Sequence, residues 1–459
     1  MRRRARAARS TPGMRLRASL PPVVALLLVA LAFALPDPSQ KPREPRSVAV
    51  SRTAYACPPG VNVAAGQVAP ATSVKATTLP SGTRQSRLEL SDRWRLAKTS
   101  KATVVEQSGR GSGAVGFFTT TASAAQGGGL VVAPCPPTVD ESWFVGLGSG
   151  GKHESRLVFT NLSDVIAVAD VSLWGTEGPI DVVRGAGIII KPHRTRTITV
   201  DKLAAGETEL AARVERRRGA FAVTAFDGSR RVFSGSEVEP SSVSPKRDQL
   251  LAGLPAGARN RTLLVVNPST VTSRLSVSVL GPRGSFAPRG LEAVRVPAGS
   301  VTAFDIPAAI GADGVSIRLK SDQPVAATVR FADEKKDYAY AVSARPLDGP
   351  ALVPVDLGGG TSRPRLTVTA PGGKATVTVV GYDARMKRIG SGHYEIAAGA
   401  TATVNLAKLT DSERLAYVVV TPKGNVIGSA TFRKDDGIAS IPLEAAPIRV
   451  LGPDVRYIG

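Results

Sequence analysis

The sequence has little of the material from which most catalytic and metal centres are built. Its 459 residues include two cysteines and three histidines, and aromatic residues make up 5% of the chain. Zinc and related centres draw mainly on Cys and His side chains, so we predict no metal site and no cofactor. The few aromatic residues are not interleaved with the basic runs as base-stacking platforms require, so we also predict no nucleic-acid partner.

The three histidines, His153, His193 and His393, lie far apart in the sequence. None has Cys, His or carboxylate partners at the spacing of metal ligands. We therefore expect lone surface imidazoles. No serine lies in a nucleophile-elbow context either, and no catalytic residue is predicted.

One glycine-rich stretch and two acidic pairs are interpreted as loops and turns. The glycine-rich stretch 146–150 precedes a strand instead of opening a helix, so it offers no helix N-terminus to a phosphate. Asp140-Glu141 and Asp333-Glu334 are acidic pairs. General acid and base catalysis needs two carboxylates that converge in a cleft, and nothing in the sequence predicts that these do. We expect solvated turn charges.

Long apolar runs are absent except for residues 20–35, LPPVVALLLVALAFAL, which follow a segment, 1–19, with seven arginines and no acid. Sixteen helical residues span about 24 Å, slightly less than the roughly 30 Å of a bilayer's hydrocarbon core. A retained transmembrane helix and the h-region of a cleaved signal peptide both fit. Retention is favoured because Pro36 follows closely on the cleavage-like pattern Ala32-Phe33-Ala34. In either case the arginines stay inside and the remainder is exported.

The two cysteines, Cys57 and Cys135, share a Cys-Pro-Pro context, which suggests equivalent places at the two ends of one unit. An even count in an exported chain favours a disulfide between them. Two unpaired buried thiols are the alternative. A loop of 78 residues would give a bond worth about 4.5 kcal/mol on the chain-entropy estimate.

The sequence also lacks long helical patterns, and its 46 glycines and 34 prolines are typical of short strands joined by tight turns. In residues 261–284, Leu275, Val277 and Val279 alternate with serines, which predicts a strand with one buried face. A shift of 106 positions places Asn267 on Asn161 and the strand on a similar one, and a shift of 100 finds a third copy. The chain therefore contains internal repeats.

These repeats predict an all-β protein of tandem immunoglobulin-like sandwiches, because about 100 residues per repeat suit a two-sheet sandwich rather than a propeller blade. The first unit, weaker in pattern, is interpreted as a degenerate or half-length copy. The predicted organisation begins with a cytoplasmic basic segment (1–19), a transmembrane helix or signal h-region (20–35) and a Pro-rich linker (36–52). A degenerate unit closed by a disulfide follows at 53–139, and the three repeats lie at 140–245, 246–346 and 347–459.

The formal net charge is +22, and only seven of the 59 basic residues lie in the N-terminal segment, so the remainder still has more basic than the 37 acidic residues. The basic runs do not recur at equivalent positions of the repeats. Solvated turn charge is favoured, and attraction to anionic wall polymers or lipid headgroups is the alternative.

Three features of the chain occur together: the basic N-terminus with one apolar segment, the stretch from Cys135 to Trp143, and the L-x-x-x-N-x-S and G-x-x-G elements of the repeats. On these features the whole chain resembles a family of uncharacterised actinobacterial envelope proteins, single-pass and strand-rich. This resemblance implies an extracytoplasmic location and an envelope role, and it supplies no catalytic residues.

The favoured hypothesis is a membrane-tethered, non-catalytic scaffold or binding protein of the bacterial cell envelope, which meets a partner protein or an anionic wall polymer. It would be a single-pass protein with its N-terminus inside, or a secreted one if the segment is cleaved. A carbohydrate-active envelope enzyme or accessory subunit, with a site at a domain junction, is the first alternative, and a secreted adhesin-like protein is the second. A cleft with converging carboxylates would favour the enzyme.

Overall fold

The protein is built of β-strands. The structure, a computed structural model, describes the following residues: 47–50, 52–68, 74–78, 87–89, 94–108, 113–121, 129–151, 153–230, 234–307, 310, 313–334, 337–358 and 363–451. Within these ranges the only helical elements are two 3₁₀ turns, Val200–Lys202 and Leu406–Lys408. No helix among them is long and apolar enough to cross a membrane. The predicted segments 1–19 and 20–35, and 36–46 of the linker, lie outside the described residues.

Residues Ala49 to Val450 form one compact unit. Strand β1 (Ser47–Ala49) precedes it, and eight strands then form the first of four pairs of sheets. They are β2 (Arg52–Cys57), β3 (Val61–Gln67), β4 (Val74–Thr78), β5 (Arg87–Glu89), β6 (Arg95–Thr99), β7 (Thr103–Ser108), β8 (Ala114–Thr121) and β9 (Leu130–Pro134). One sheet has the order β2-β7-β4-β5 and the other β6-β3-β8-β9. The unit expected as a degenerate or half-length copy thus has two four-stranded sheets.

The second sandwich follows the same plan. Its strands are β10 (Glu141–Leu147), β11 (His153–Asn161), β12 (Ala167–Trp174), β13 (Pro179–Ile180), β14 (Ile188–Ile190), β15 (Thr195–Thr199), β16 (Leu210–Arg218), β17 (Phe221–Arg230) and β18 (Ser234–Glu239). One sheet has the order β10-β16-β12-β13, with β14 also beside β12, and the other β15-β11-β17-β18. Residues from both sheets, such as Phe144, Phe159 and Val171, are buried in one shared core.

In the third sandwich one long strand serves both sheets. The strands are β19 (Lys246–Leu254), β20 (Arg259–Val266), β21 (Ser273–Gly281), β22 (Gly284–Phe286), β23 (Val294–Val296), β24 (Val301–Asp305), β25 (Val315–Ala332) and β26 (Tyr338–Val342). The first part of β25 pairs with β19 and β21, and its last part, from Ala326, pairs with β20 and β26. Leu275, Val277 and Val279 are buried, as their alternation predicts.

The fourth sandwich repeats the order of the second. Its strands are β27 (Ala351–Pro354), β28 (Arg365–Thr369), β29 (Ala375–Asp383), β30 (Arg388–Ile396), β31 (Thr401–Asn405), β32 (Leu415–Lys423), β33 (Ile427–Lys434) and β34 (Gly437–Pro442), and β35 (Arg449–Leu451) follows. The sheets have the orders β27-β32-β29-β30 and β31-β28-β33-β34.

The pairing within the second sandwich joins strands that are distant in the sequence. Strand β16 lies between β10 and β12 in one sheet, and β11 lies between β15 and β17 in the other.

A buried asparagine fixes the same turn in two sandwiches. The Asn161 side chain donates to the carbonyl oxygens of Val165 and Ile190, at 2.8 and 2.9 Å. The Asn267 side chain donates to Val271 O and Val296 O, at 2.8 and 3.2 Å. Both amides are fully buried, so these bonds satisfy groups that would otherwise be costly to bury. The shift of 106 positions found in the sequence thus corresponds to equivalent three-dimensional contacts.

The four sandwiches close into a ring. Strand β9 contacts β18, β18 contacts β26, β26 contacts β34, and β34 contacts β9, so the last strands of the four sandwiches surround one axis. Neighbouring sandwiches also share buried apolar side chains. Trp94 of the first sandwich stacks on Tyr417 of the fourth at 5.3 Å between ring centroids, and its Nε1 donates to Asp356 O at 2.8 Å. The ring is therefore closed between its first and last members.

Cys57, at the end of β2, is bonded to Cys135, just after β9, with a Cα–Cα distance of 4.6 Å. Both are fully buried in the core of the first sandwich. The bond ties the first strand of one sheet to the last strand of the other. We expect mass spectrometry of the unreduced protein, after treatment with an alkylating agent under denaturing conditions, to find neither thiol modified. Two alkylated cysteines in that experiment would contradict the bond.

Candidate functional site

The axis of the ring is the candidate functional site, because buried ionisable side chains are concentrated along it. Near the start of the four last strands, the Asp337 carboxylate accepts hydrogen bonds from Leu130 N at 3.2 Å and from Ile438 N at 2.7 Å. A Cβ atom on Gly235 would lie 2.1 Å from Asp337 Oδ1, so only glycine fits there. One carboxyl group thus touches all four sandwiches.

Burial raises the pKa of Asp337 to about 7, although the amides of Ile438 and Leu130 act in the opposite direction. Nearby Glu237 is fully buried and its pKa is raised well above the ordinary value, first by burial and then by the charges of Asp337 and Asp227. These carboxyl groups therefore hold protons at pH values where exposed ones are ionised.

Farther along the axis, a polar cluster lies between the second and third sandwiches, with Asp227 of β17 at its centre. Its Oδ1 accepts a hydrogen bond from Ser155 and lies 2.8 Å from His153 Nε2. Its Oδ2 accepts from the hydroxyls of Tyr338 and Tyr340, at 2.8 and 2.7 Å. All five side chains are buried. Both oxygens of Asp227 are therefore fully engaged, from two sandwiches at once.

The strand pairing explains why these side chains meet. Ser155 of β11 lies directly opposite Asp227, and His153 is two residues along on the same face, where diagonal neighbours can touch. Tyr338 and Tyr340 share one face of β26 because side chains alternate along a strand. Alternation in three strands thus directs the polar groups of two sandwiches to one point.

Two glycines make room for the cluster. A Cβ atom on Gly148 would lie 2.0 Å from His153 Nδ1, and one on Gly146 would lie 3.1 Å from the Tyr340 ring. Gly146 also has a φ of 142°, a backbone conformation that L side chains rarely adopt. The glycine-rich stretch predicted as a loop therefore packs against the cluster, with Gly146 inside β10.

A second ion pair lies beside the cluster. The Arg330 guanidinium of β25 donates to both Glu209 oxygens, at 2.5 and 3.1 Å, and to Gly146 O at 3.4 Å. Its pKa is raised, because the charge of Glu209 and the hydrogen bonds to its carboxylate outweigh burial. This pair bridges the second and third sandwiches with the two-pronged geometry that Arg forms with carboxylates.

The charges within the cluster balance. Burial alone would raise the pKa of Asp227, but the charge and hydrogen bond of His153, with bonds from Ser155 and Tyr340, hold that pKa below its ordinary value. Burial alone would lower the pKa of His153, but Asp227 raises it. Below the raised pKa of His153 the pair is therefore a buried carboxylate and imidazolium, and with Arg330 and Glu209 the charges then sum to zero.

The arrangement of His153, Asp227 and Ser155 is not that of a catalytic triad. In a triad the serine hydroxyl bonds to the histidine, and the aspartate holds the other ring nitrogen. Here Ser155 donates to Asp227 and accepts from Gly148 N at 2.8 Å, while His153 Nδ1 lies 3.1 Å from Thr208 O. Both ring nitrogens are engaged and no group is exposed to a substrate. The cluster holds sandwiches together.

A pocket of about 420 Å³ opens at the other end of the axis, where the four last strands end. Its wall comes from the segments that follow β9, β18, β26 and β34. It is lined by six prolines and by serines, and by the ionisable side chains Glu141, Glu239, Glu444, Asp348 and Arg345. The volume is in the range of small-molecule sites.

Two carboxyl groups of the pocket have raised pKa values. Glu239 is fully buried, and its pKa is well above the ordinary value because of burial, with the amide of Val145 acting in the opposite direction. The pKa of Glu444, whose side chain is exposed, is also raised, and the charge of Arg345 acts in the opposite direction. Glu239 accepts a hydrogen bond from Val145 N through Oε1. Its Oε2 is buried without a hydrogen-bond partner among the described residues.

The three histidines have different environments. His393 is exposed, with Nδ1 3.0 Å from Thr378 Oγ1, and His193 Nε2 lies 2.7 Å from the exposed Asp164. The expectation of a lone surface imidazole is wrong for His153, which is 5% exposed and paired with Asp227. Within the described ranges, no three His, Cys, Asp or Glu side chains are grouped so as to hold a metal ion.

The acidic pairs are only partly solvated. Asp140 is exposed and bonded to Arg216, whereas Glu141 is half-buried and bonded to Arg213 and Ser244. Glu334 is exposed, but Asp333 is 7% exposed. The expectation of a solvated turn charge is therefore wrong for Asp333. Neither pair lies in a cleft as two converging carboxylates.

The sequence interpretation missed the residues of the axis, although a signal was present. The pairs His153 and Ser155, Glu237 and Glu239, and Tyr338 and Tyr340 are each spaced by two within strand-like segments. Polar residues at that spacing share one face of a strand, as apolar ones do. Alternation was used only to find buried apolar faces, so three buried polar ones were overlooked.

The chain matches one known protein family. The model of a family of unknown function, DUF5719, matches residues 95–407, which is more than half of the chain. The chain belongs to this family. The DUF5719 match begins in β6 and ends in the 3₁₀ turn of the fourth sandwich, so it includes the Asp227 cluster, Asp337 and Glu239. No curated protein matches the chain.

Proposed function

We propose that this DUF5719 protein is a non-catalytic scaffold or binding protein of the bacterial cell envelope, tethered by residues 20–35 with its bulk outside the cytoplasm. One observation carries the proposal: the four sandwiches share buried cores around a closed ring, so they present one preformed surface. A preformed surface binds with little loss of conformational freedom. The disulfide supports an exported location, because such bonds persist in oxidising compartments.

The buried polar residues support a binding role rather than catalysis. The hydrogen bonds of Asp227, His153 and Arg330 are made within the cluster that joins the second and third sandwiches. A catalytic group must instead reach a reacting atom. The ionisable groups of the cluster therefore contribute to the rigidity of the ring.

The partner is an envelope protein or an anionic wall polymer. Without the seven N-terminal arginines, the remaining 52 basic residues still outnumber the 37 acidic ones, which supports electrostatic attraction to such a polymer. Exposed arginines such as Arg194 and Arg218 of the second sandwich supply positive charge at the surface.

Affinity capture from an envelope lysate tests this function. We expect the full chain, solubilised in mild detergent, to retain one partner through washing, and purified anionic wall polymer to displace it if the polymer is the ligand. The His393→Ala variant, changed at an exposed side chain, should retain as much. Recovery of no envelope component, with neither a protein nor the polymer bound, would contradict the proposal.

A carbohydrate-active enzyme is the second candidate, because the carboxyl-bearing residues Glu141, Glu444 and Asp348 line one pocket at a junction of sandwiches. Two carboxyl groups beside a glycosidic bond can act as its general acid and its base or nucleophile. The appearance of new reducing ends when the protein is incubated with envelope glycans, and their absence with Glu444→Gln, would favour the enzyme over the scaffold.

A further inference from the structure

Three loops meet at one end of the second sandwich. Each joins two of its strands, and they are 162–166, 191–194 and 219–220. Backbone hydrogen bonds hold them together, because Asn161 N donates to Arg194 O at 3.0 Å and Leu162 N donates to Ala220 O at 2.9 Å. We call the surface formed by these loops and the adjoining strand ends the loop end.

The loop end exposes large aliphatic side chains. Val165 and Ile166 are 50% and 47% exposed, and Ile189 of β14 is 53% exposed. Ile189 lies directly opposite Val168 of β12, and Ile166 is two residues from Val168, the spacing at which side chains share one face. These side chains therefore form one apolar strip with Val165 at its end. Clustered apolar exposure of this kind marks an interaction site.

The turn that carries Val165 is held in a fixed shape. Asn161 Nδ2 and Ser163 Oγ both donate to Val165 O, at 2.8 and 3.1 Å, and Asn161 is fully buried. The aliphatic side chains are thus presented to solvent by a preformed turn.

Basic side chains surround the apolar strip. The exposed ones are Lys191, Arg194, Arg217 and Arg218. Arg218, the last residue of β16, lies directly opposite the strip on the neighbouring strand. Two acidic side chains nearby are already paired. Asp164 Oδ1 lies 2.7 Å from His193 Nε2, and Asp170 is bonded to Arg217. The loop end is therefore both apolar and positively charged.

The chain enters the folded unit beside the loop end. Leu162 packs against Ala102 and Val104 of β7, and Ala54 of β2 packs against the same two side chains. Strand β2 begins at Arg52, two residues before Ala54. The residues between 35 and 52 span at most about 55 Å when fully extended. A membrane that holds residues 20–35 is therefore within reach of the loop end.

We propose that the loop end rests on the anionic surface of the membrane to which residues 20–35 tether the chain. The proposal rests on the tether of the proposed function and names the surface of the ring that faces the bilayer. A lipid surface offers anionic headgroups to the basic side chains and an acyl boundary to the aliphatic ones. A hydrated wall polymer offers the charge alone, so the apolar strip assigns the basic side chains of the loop end to lipid.

The test uses the full chain in lipid nanodiscs, with a nitrobenzoxadiazole fluorophore on Val165→Cys. Because Cys57 and Cys135 are bonded to each other, only the introduced thiol reacts. We expect the emission to shift to the blue, and to be quenched by doxyl-labelled lipid, in discs of equal parts phosphatidylcholine and phosphatidylglycerol. Discs of phosphatidylcholine alone should give a smaller shift. Salt should reduce the shift, because the Debye length falls from about 10 Å at 0.1 M to about 3 Å at 1 M.

Val271→Cys, labelled in the same way, is the matched control. Val271 occupies the same turn of the third sandwich, 106 positions later, and is 57% exposed. Thr272 and Arg295 follow it where the second sandwich has two isoleucines, so no apolar strip is formed. Its emission should not depend on the charge of the lipid.

Two charge variants of the chain labelled at Val165 complete the test. Lys191→Gln and Arg218→Gln should each weaken the association with the anionic disc about fivefold, the factor for one basic residue near a charged membrane. Equal shifts at Val165 and Val271, or equal shifts in anionic and neutral discs, would overturn the proposal. Capture of the envelope partner by that chain would then leave the scaffold function standing. A chain that does not enter the discs would contradict the tether itself, and this inference with it.

Discussion

Replacing Asp227 by alanine should lower the free energy of unfolding by about 3–5 kcal/mol, the usual cost of removing one partner from a buried ion pair. The substitution leaves the imidazolium of His153 without its counter-charge and the hydroxyls of Tyr338 and Tyr340 without their acceptor. Because those groups belong to two sandwiches, the loss should weaken the junction between them. Urea unfolding followed by tryptophan fluorescence measures the change.

Glu154→Ala is the control for this experiment. Glu154 lies between His153 and Ser155 on β11, on the opposite, exposed face of the strand. Its removal takes away a carboxylate without touching the cluster, so the free energy should change little. Equal unfolding free energies for the two variants would show that the cluster contributes no buried ion pair.

The stability of the protein should fall as the pH rises from about 4 to about 7. The pKa of Asp337 is about 7 in the folded protein against a reference value of 3.8. The folded state therefore binds this proton more tightly than the unfolded state, and the stabilisation is complete below the unfolded pKa and lost as the pH rises to the folded one. At 1.36 kcal/mol per pH unit the loss amounts to about 4 kcal/mol.

The other buried groups refine the pH profile. The pKa values of Glu237 and Glu239 are raised, so these groups add to the loss of stability with rising pH. His153, whose pKa is also raised, loses its contribution above its unfolded value of 6.5. Asp227, whose pKa is lowered, loses its contribution as the pH falls below 3.8. The maximum of stability should therefore lie at mildly acidic pH.

Asp337→Asn should flatten this profile. The asparagine carbonyl can still accept from Ile438 N, but the side chain no longer titrates. The slope of unfolding free energy against pH, between about 4 and 7, should shrink by the equivalent of one proton. Val277→Ala, which weakens the core of the same sandwich without a titrating group, should shift the curve and keep its slope. An unchanged slope in Asp337→Asn would contradict the assignment.

Much of the strand structure could be predicted from the sequence, because a strand with one buried face repeats its pattern every two residues. The positions Leu275, Val277 and Val279 are buried in β21, and Asn161 and Asn267 make matching contacts 106 positions apart. Such patterns depend on local geometry alone. They give sheets and repeats but not the order of strands within a sheet.

The ring and the contacts along its axis could not be predicted from alternation within single strands. The bond from Leu130 N to Asp337 joins positions 207 apart, and Tyr340 reaches Asp227 from 113 positions away. In the sequence, the partner of each of these residues lies far away, in another sandwich. Burial of His153 and Asp333 depends on packing between sandwiches, which no pattern within one strand encodes.

The junction of Trp94 with Tyr417 also fixes how this architecture can change in evolution. In an open row of repeats, a duplication or deletion leaves every remaining interface intact. Here the loss or gain of one sandwich would separate the partners of that junction and expose Trp94 and Leu352 to water. It would also remove a neighbour of Asp337. The closed ring therefore opposes a change in the number of sandwiches, whereas loops away from these junctions can change without breaking them.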